Sequence, residues 1–211
     1  MRKLVTIFVV AVTILLISGP AQAALTFDIG FIFTGTGVPT NPAPWLNATF
    51  DDGGSAGSVD LTISAVGLTA SEKVKGVYLN LDPTLDPTQL VFSDMIKTGS
   101  FENPVISTGV DGYKADGDGY YDILIEFNPD GASKAFNGGE AVKYSITLTS
   151  LSASSFDFVS APDGGEGEYK TAAHLQNLGV SGDSAWATTP EPATMALLGL
   201  GALGLLRKRR A

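Results

Sequence analysis

Between residues 24 and 187, apolar side chains recur at every second position in short runs, and residues that favour turns interrupt those runs. The clearest run, residues 141–149, places Val142, Tyr144 and Ile146 on one side. A period of two is typical of a half-buried strand. No helical period of 3.6 appears between the two ends of the chain, so the pattern predicts an all-β, antiparallel sandwich of about eight strands.

The predicted strands share this alternation and are bounded mainly by Gly, Pro, Asn or Asp. They cover residues 25–33, 45–50, 59–65, 74–81, 89–92, 122–127, 141–149 and 156–159. Two successive Asp-Pro sequences follow the fourth of these strands. Because proline is excluded from central strand positions, both sequences predict turns.

The N-terminus has the three parts of a secretory signal peptide. Arg2 and Lys3 precede an apolar run at residues 4–17, and Ala21 and Ala23 form a small-x-small cleavage site. As a helix the run spans about 21 Å, whereas a bilayer core is roughly 30 Å thick, which argues against the alternative of a retained anchor. We therefore expect signal peptidase to cut after Ala23.

The C-terminus contains three different features in order. Pro190, Glu191 and Pro192 are followed by an apolar segment at residues 193–206 and by a closing cluster of four cations. This series resembles the PEP-CTERM sorting signal of Gram-negative bacteria. The resemblance implies that the tail, residues 188–211, holds the exported protein in the inner membrane until an exosortase cuts near the Pro-Glu-Pro.

Physical arguments support the same interpretation of the tail. Lys and Arg stay on the cytoplasmic side during insertion, and the prolines prevent the apolar helix from extending backward. The segment is short for a permanent span, and its glycines weaken the helix further. We therefore expect a transient hold in the inner membrane and then release to the cell surface or matrix, with a permanent C-terminal anchor as the alternative.

The region 50–186 also resembles an ectodomain that recurs in PEP-CTERM proteins, and this resemblance implies no known activity. The phrases that carry it are Val77-Tyr78-Leu79-Asn80-Leu81-Asp82-Pro83, Leu151-Ser152-Ala153-Ser154-Ser155-Phe156, Ala172-Ala173-His174-Leu175-Gln176-Asn177 and Ser184-Ala185-Trp186.

Removal of both ends leaves a strongly acidic chain. Residues 24–189 contain seven Lys, no Arg and 21 acidic residues, a net charge of −14. Such a surface repels nucleic acid, and it meets anionic polysaccharide only where divalent cations intervene. The absence of cysteine excludes disulfides, thiolate metal sites and a thiol nucleophile.

The most suggestive polar cluster is the stretch at residues 111–122, which is rich in Asp and Gly. Asp116, Asp118 and Asp122, with glycines between them, could wrap around Ca²⁺, which takes about six to eight oxygen ligands. The pattern is not an EF-hand, because Tyr120 occupies a ligand position and the closing glutamate is missing. The same residue types form turns between strands, so a weak calcium site and a plain acidic loop both remain open.

Candidate catalytic residues are few. His174 is the single histidine and would have to serve any Ser-His-Asp hydrolase, and Ser155 and Ser184 lie nearby in the sequence. The chain has no Gly-x-Ser-x-Gly elbow, and a glycosidase needs two carboxylates across a cleft. Glu126 lies in a predicted strand, but its alternation directs it outward. We therefore predict no catalytic residue and expect the protein not to be an enzyme.

Aromatic side chains provide the remaining candidates. Trp45, Trp186, Tyr113, Tyr120 and Tyr121 could stack on sugar rings, although packing within the fold is the commoner role for such residues. The sequence favours an exported, non-enzymatic structural or adhesive component of an exopolysaccharide or biofilm matrix, with calcium bridging its acidic surface to anionic glycans. A carbohydrate-binding module is the alternative, and a secreted hydrolase comes third.

Overall fold

The computed structural model describes residues 24–130, 134–163 and 169–190, which form thirteen strands and two short 3₁₀ helices. The helices are Pro87–Gln89 and Ala153–Phe156. The strands are β1 (Ala24–Ile29), β2 (Phe31–Gly35), β3 (Leu46–Asp52), β4 (Ser58–Ser64), β5 (Lys73–Leu79), β6 (Val91–Thr98), β7 (Val105–Lys114), β8 (Gly119–Glu126), β9 (Phe136–Asn137), β10 (Ala141–Thr147), β11 (Ala161–Pro162), β12 (Thr171–Leu178) and β13 (Asp183–Thr188).

The strands form two antiparallel sheets. The first sheet has the order β1-β3-β4-β10-β6. The second sheet has the order β11-β8-β5-β12-β13-β2, with β7 paired to β8 and the short β9 paired to β5. The predicted antiparallel sandwich is therefore confirmed, with more strands than the eight expected from the sequence.

The alternation seen in the sequence creates the core between the two sheets. Leu61 and Ile63 of β4 are fully buried, as are Val77 and Ile123 of the facing sheet. Burial of one such side chain contributes about 1.5–3 kcal/mol relative to leaving it exposed. The core therefore depends on contributions from both sheets, because each sheet has only one strongly apolar face.

The predicted strand at 25–33 is two strands in the structure, one in each sheet. The chain crosses between the sheets at Gly30, where a Cβ atom would lie 2.7 Å from the Cβ of Ala43. The absence of a side chain therefore permits the close approach that the crossing requires. Local alternation does not reveal such a crossing, because the residues on either side remain extended.

The predicted strand at 156–159 is wrong. Ala153–Phe156 form a 3₁₀ helix instead, and residues 157–160 are irregular. Hydrogen bonds within the turn explain the difference, since Ser155 Oγ accepts from Ser152 N at 3.2 Å. Serine side chains that bond to nearby backbone groups offer the chain an alternative to a strand ladder.

Strands β7, β12 and β13 and most of β6 were not predicted. Strand β12 contains Ala172-Ala173 and, before its last residue, Gln176-Asn177, and these residue types are depleted in strands or only weakly favour them. Strand β6 is exposed along most of its length, so it has no clear alternation. These strands form because their backbone groups hydrogen-bond to neighbouring strands, and not because of their own residue pattern.

The predicted signal helix, residues 1–23, and the apolar sorting helix, residues 193–206, lie outside the described residues. The same is true of the processing residues Ala21, Ala23, Glu191 and Pro192, whereas Pro190 is described. Across residues 24–130, 134–163 and 169–190, no helix has the length and apolar character needed to cross a bilayer.

Candidate functional site: the acidic turn, the outer face of the second sheet and the chain exit

Asp118 of the predicted calcium cluster is a buried structural acceptor. Its side chain is only 2% exposed, and Oδ2 accepts hydrogen bonds from the Tyr121 hydroxyl at 2.5 Å and the Ser160 hydroxyl at 2.9 Å. Burial raises the pKa of Asp118, although these hydroxyls oppose that rise. Through these hydrogen bonds the carboxyl group links the turn before β8 to the loop before β11.

The other two aspartates have different environments. Both oxygens of Asp122 accept backbone hydrogen bonds, from Asp111 N at 2.9 Å and Leu81 N at 3.0 Å. Asp116 is exposed. The structure thus does not bring Asp116, Asp118 and Asp122 together, and no group of three metal-ligating side chains occurs in the described ranges. Calcium binding by this triad stays a prediction that the geometry does not support.

His174 lies on β12 and stacks on Trp186 of the neighbouring β13, with ring centroids 4.5 Å apart and an angle of 11° between the planes. Partial burial and the positive charge of Lys75 lower the pKa of His174, against the opposing effect of Asp116. The imidazole is therefore mostly neutral at pH 7. Its environment is that of a packed side chain on the outer face of the second sheet.

The structure does not bring His174 together with either candidate nucleophile of a hydrolase. Ser155 lies in the second 3₁₀ helix and bonds to Ser152, and Ser184 is exposed on β13. No serine hydroxyl within the described part of the chain hydrogen-bonds to His174. Glu126 is exposed at the end of β8, as the alternation predicted.

Tyr121, Ala115 and Ala172 form a second, small buried cluster, against which Tyr78 and Trp186 pack. The Tyr78 ring lies 5.9 Å from that of Tyr121 and 5.1 Å from that of Trp186. The alternation in the sequence does not predict this cluster. The sequence does contain one indication of it. Tyr78 lies between two core residues of β5 and therefore points to the outer face of the sheet, where a large aromatic ring is usually packed against other side chains.

The aromatic residues considered for sugar binding are mostly covered. Trp45 is buried and its Nε1 donates to the backbone oxygen of Asn41 at 2.8 Å. Tyr121 is fully buried, and Trp186 is half-buried beneath His174. Tyr113 and Tyr120 are also half-buried. These positions leave no exposed Trp or Tyr ring in the described ranges.

Several of the exposed apolar side chains lie on two edge strands. Ile96 of β6 is 62% exposed and Val110 of β7 is 68% exposed, and Val91 and Val105 are similarly accessible. Strand β6 ends the first sheet, and β7 pairs only with β8 within the described chain. Edge strands of this kind present backbone N–H and C=O groups that can pair with another chain.

The chain leaves the sandwich directly after β13. Thr188 is buried, and Gly30 N donates to its backbone oxygen at 2.9 Å. Thr189 and Pro190 follow, and they line a surface cleft together with Leu25 and Phe27 of β1. The sorting motif at residues 188–210 therefore begins with Thr188, the last residue of β13.

The sorting motif is confirmed by comparison with known protein families. Residues 188–210 match the PEP-CTERM protein-sorting motif. This β-rich chain therefore carries the tail of an exosortase substrate, which implies a secreted surface protein. No curated protein matches the chain.

One solved structure resembles the fold at a distance. It comes from work described as "pH-induced modulation of Streptococcus parasanguinis adhesion by Fap1 fimbriae". The likeness covers 80% of this chain and 95% of that chain, at 10% sequence identity and a TM-score of 0.33. At this TM-score the likeness has no bearing on function.

Proposed function

We propose that the mature protein is a non-enzymatic structural or adhesive component of an extracellular polysaccharide or biofilm matrix. The sorting motif supports the extracellular destination. The observation that carries the adhesive role is the exposure of apolar side chains on the edge strands β6 and β7. An exposed edge strand with apolar side chains offers unpaired backbone groups to which a strand of another chain can bind.

The charge of the domain supports the kind of environment that we propose. A net charge of −14 across residues 24–189 keeps separate copies soluble and apart. Contact with anionic glycans then requires divalent cations, so calcium bridges the acidic surface to the matrix. Apolar edge contacts, which do not depend on charge, hold the protein there.

Two variants test the role of the edge strands. Ile96→Lys places a charge on the β6 edge, and Val180→Lys adds the same charge at an exposed position in the β12–β13 turn. A lysine on an edge strand opposes pairing with another chain. We expect Ile96→Lys to reduce retention of the protein on exopolysaccharide from the source strain severalfold, and Val180→Lys to leave it unchanged.

Retention is measured by sedimentation of the matrix with the purified protein, with and without a calcium chelator. Equal retention of both variants and the unchanged protein would show that the β6 edge is not the adhesive surface. If the chelator releases the protein and Ile96→Lys has no effect on retention, the attachment depends on calcium bridging and not on the edge strands.

A carbohydrate-binding module is the alternative, and it depends on accessible ring faces. The burial of Trp45 and Tyr121 and the covering of Trp186 give it less support. Binding of neutral oligosaccharides that quenches tryptophan fluorescence would favour this alternative over the matrix role.

A further inference from the structure

The edge strands β6 and β7 lie at the same side of the sandwich. Strands β1 and β2, joined at Gly30, end the two sheets at one side, so β6 and β7 end them at the other. The loop at residues 99–104 connects the two strands. Five of the ten large apolar side chains that are exposed in the described ranges belong to β6 and β7. We refer to these two strands as the open side.

The open side is nearly neutral, although the domain as a whole is strongly acidic. Residues 91–114, which contain both strands and their connecting loop, have three acidic residues and two lysines, a net charge of −1. The remainder of residues 24–189 has a net charge of −13. Copies of this chain therefore repel one another through most of their surface and least through the open side.

Each strand of the open side has one acidic and one basic residue with the same spacing. Asp94 and Lys97 are three residues apart on β6, as are Asp111 and Lys114 on β7. All strand pairs in both sheets are antiparallel, and β1 leads directly into β2, so β6 and β7 run in opposite directions. When two strands with this spacing lie antiparallel, each aspartate can face a lysine, and opposite charges across a ladder stabilise it.

Contacts within the chain hold the two lysines at this side. Lys97 Nζ donates to the backbone oxygen of Phe101 and to Asn103 Oδ1, both at 2.8 Å, and Lys114 forms an ion pair with Asp163. An ammonium group has three N–H donors. Each lysine is therefore already positioned and keeps a donor for the carboxylate of another chain.

We propose that two copies of this chain form a dimer through their open sides, with β6 of each copy antiparallel to β7 of the other. A two-fold axis parallel to the strands gives this arrangement, since it places the first sheet of one copy in line with the second sheet of its partner. Asp94 then faces the partner's Lys114, and Lys97 faces the partner's Asp111. The dimer uses the adhesive surface proposed above and therefore rests on that proposal.

Bulges on both strands limit the association to one pair of copies. Asp94 and Asp111 have φ angles of 50° and 46°, and the ladders of β6 with β10 and of β7 with β8 shift register at these positions. A bulge interrupts pairing and twists an edge strand, which keeps a ladder with another chain short. The two-fold arrangement uses both strands of each open side, so that side has no edge left for a third copy.

Single cysteines test the arrangement, because the chain has no cysteine of its own. Thr98 and Val110 are the next facing pair after Lys97 and Asp111, and residues that face each other across a ladder are close enough for a disulfide. The Thr98 residues of the two copies lie in different layers of the dimer, at least about 10 Å apart, which is too far for a disulfide.

The variants are produced in the source strain, and the processed protein is purified from outside the cells, reduced, and oxidised by air with a copper catalyst. We expect a mixture of Thr98→Cys and Val110→Cys to form a linked dimer severalfold faster than either variant alone. Val180→Cys, in the exposed β12–β13 turn, is the control and should not link to Thr98→Cys above the rate of random collision. Equal rates in all mixtures, or faster linkage of Thr98→Cys to itself, would overturn the proposal.

A change of charge tests the contacts between the copies. Lys97→Glu replaces two attractive contacts in each dimer with two repulsive ones, and we expect association on the order of tenfold weaker in analytical ultracentrifugation. Lys75→Glu makes the same change of charge on β5, away from the open side, and should leave association unchanged. Equal weakening by the two variants would contradict the proposed contacts, as would an unchanged protein that stays monomeric at all concentrations.

These measurements contain no polysaccharide, so they are independent of retention on the matrix. A monomeric protein whose Ile96→Lys variant is poorly retained on the matrix would overturn the dimer and support the proposed function. A dimer that the matrix does not retain would support the inference and contradict the proposed function.

Discussion

At the scale of single residues, Glu72 shows how a buried charge can stabilise this fold. Its carboxylate is 1% exposed and accepts hydrogen bonds from Thr40 N at 2.7 Å, Thr69 N at 2.8 Å and Gly179 N at 3.2 Å. Burial alone would raise the pKa of Glu72, but these hydrogen bonds lower it. The ionised side chain thus joins three loops that are distant in sequence.

Glu72→Gln should destabilise the protein. An amide nitrogen cannot accept the hydrogen bonds that one carboxylate oxygen accepts, and a buried donor left without an acceptor costs about 1–3 kcal/mol. We expect a loss of this size in the free energy of unfolding by urea at pH 7. Glu126→Gln, at an exposed position on β8, should change it little.

The pH dependence of this contribution follows from the direction of the pKa shift. Because the pKa of Glu72 is lower in the folded state, its contribution is complete above the ordinary value of 4.5. It is lost as the pH falls through the lowered folded value. The difference in stability between the unchanged protein and Glu72→Gln should therefore shrink in acid, and a constant difference would contradict this account.

Single residues also show what the sequence could not decide. The run containing Asp116, Asp118 and Asp122 predicted either a metal site or a turn, because spacing alone does not reveal the partners of a carboxylate. The structure provides hydroxyl donors for Asp118 and backbone donors for Asp122. Ser160, one of those donors, lies 42 residues away in the chain, so no local pattern could have identified it.

At the scale of elements, the second 3₁₀ helix closes the core between the sheets. Phe156 is fully buried and stacks on Phe50 of β3, with ring centroids 4.2 Å apart. Phe156→Ala should reduce the free energy of unfolding by about 3–5 kcal/mol, the usual cost of a large-to-small change in a core. Thermal or chemical denaturation of the mature domain measures this loss.

Phe158→Ala is the matched control, because Phe158 is only half-buried and accepts a hydrogen bond from Asn80 through its backbone oxygen, which the substitution keeps. We expect a clearly smaller loss than for Phe156→Ala. Similar losses for both variants would mean that the helix does not contribute to the core in the way that we describe.

A strand could be predicted from the sequence where one of its faces is buried, because burial of one face produces the alternation of apolar and polar residues. Strands β4, β5, β8 and β10 have core residues at every second position or nearly so, and the sequence predicted all four. Strands β6 and β7 are exposed on the edges, so alternation is weak there. Their ladders depend on partners distant in the chain, which a local pattern does not contain.

At the scale of the whole molecule, the net charge of −14 across residues 24–189 opposes compaction. We expect the melting temperature of the mature domain to rise as sodium chloride screens this repulsion. A calcium site at Asp116, Asp118 and Asp122 would add a further rise in calcium chloride at the same ionic strength, because a ligand that binds only the folded state stabilises it.

Asp116→Asn is the control variant for the calcium effect, since Asp116 is exposed and lies in the predicted triad. A calcium-specific rise that Asp116→Asn abolishes would favour the predicted site. Identical melting temperatures in the two salts at matched ionic strength, with no heat of binding in calorimetry at millimolar calcium, would exclude it.

The sequence by itself determined the class of fold and the export route. Alternation with a period of two requires sheets with one buried face, and the order of prolines, apolar segment and cations defines the sorting motif at residues 188–210. Only the tertiary structure decided which strands are edges, which carboxylates are buried, and that Thr188, the first residue of the motif, is the buried end of β13. These features depend on contacts between residues far apart in the chain, and no local pattern encodes them.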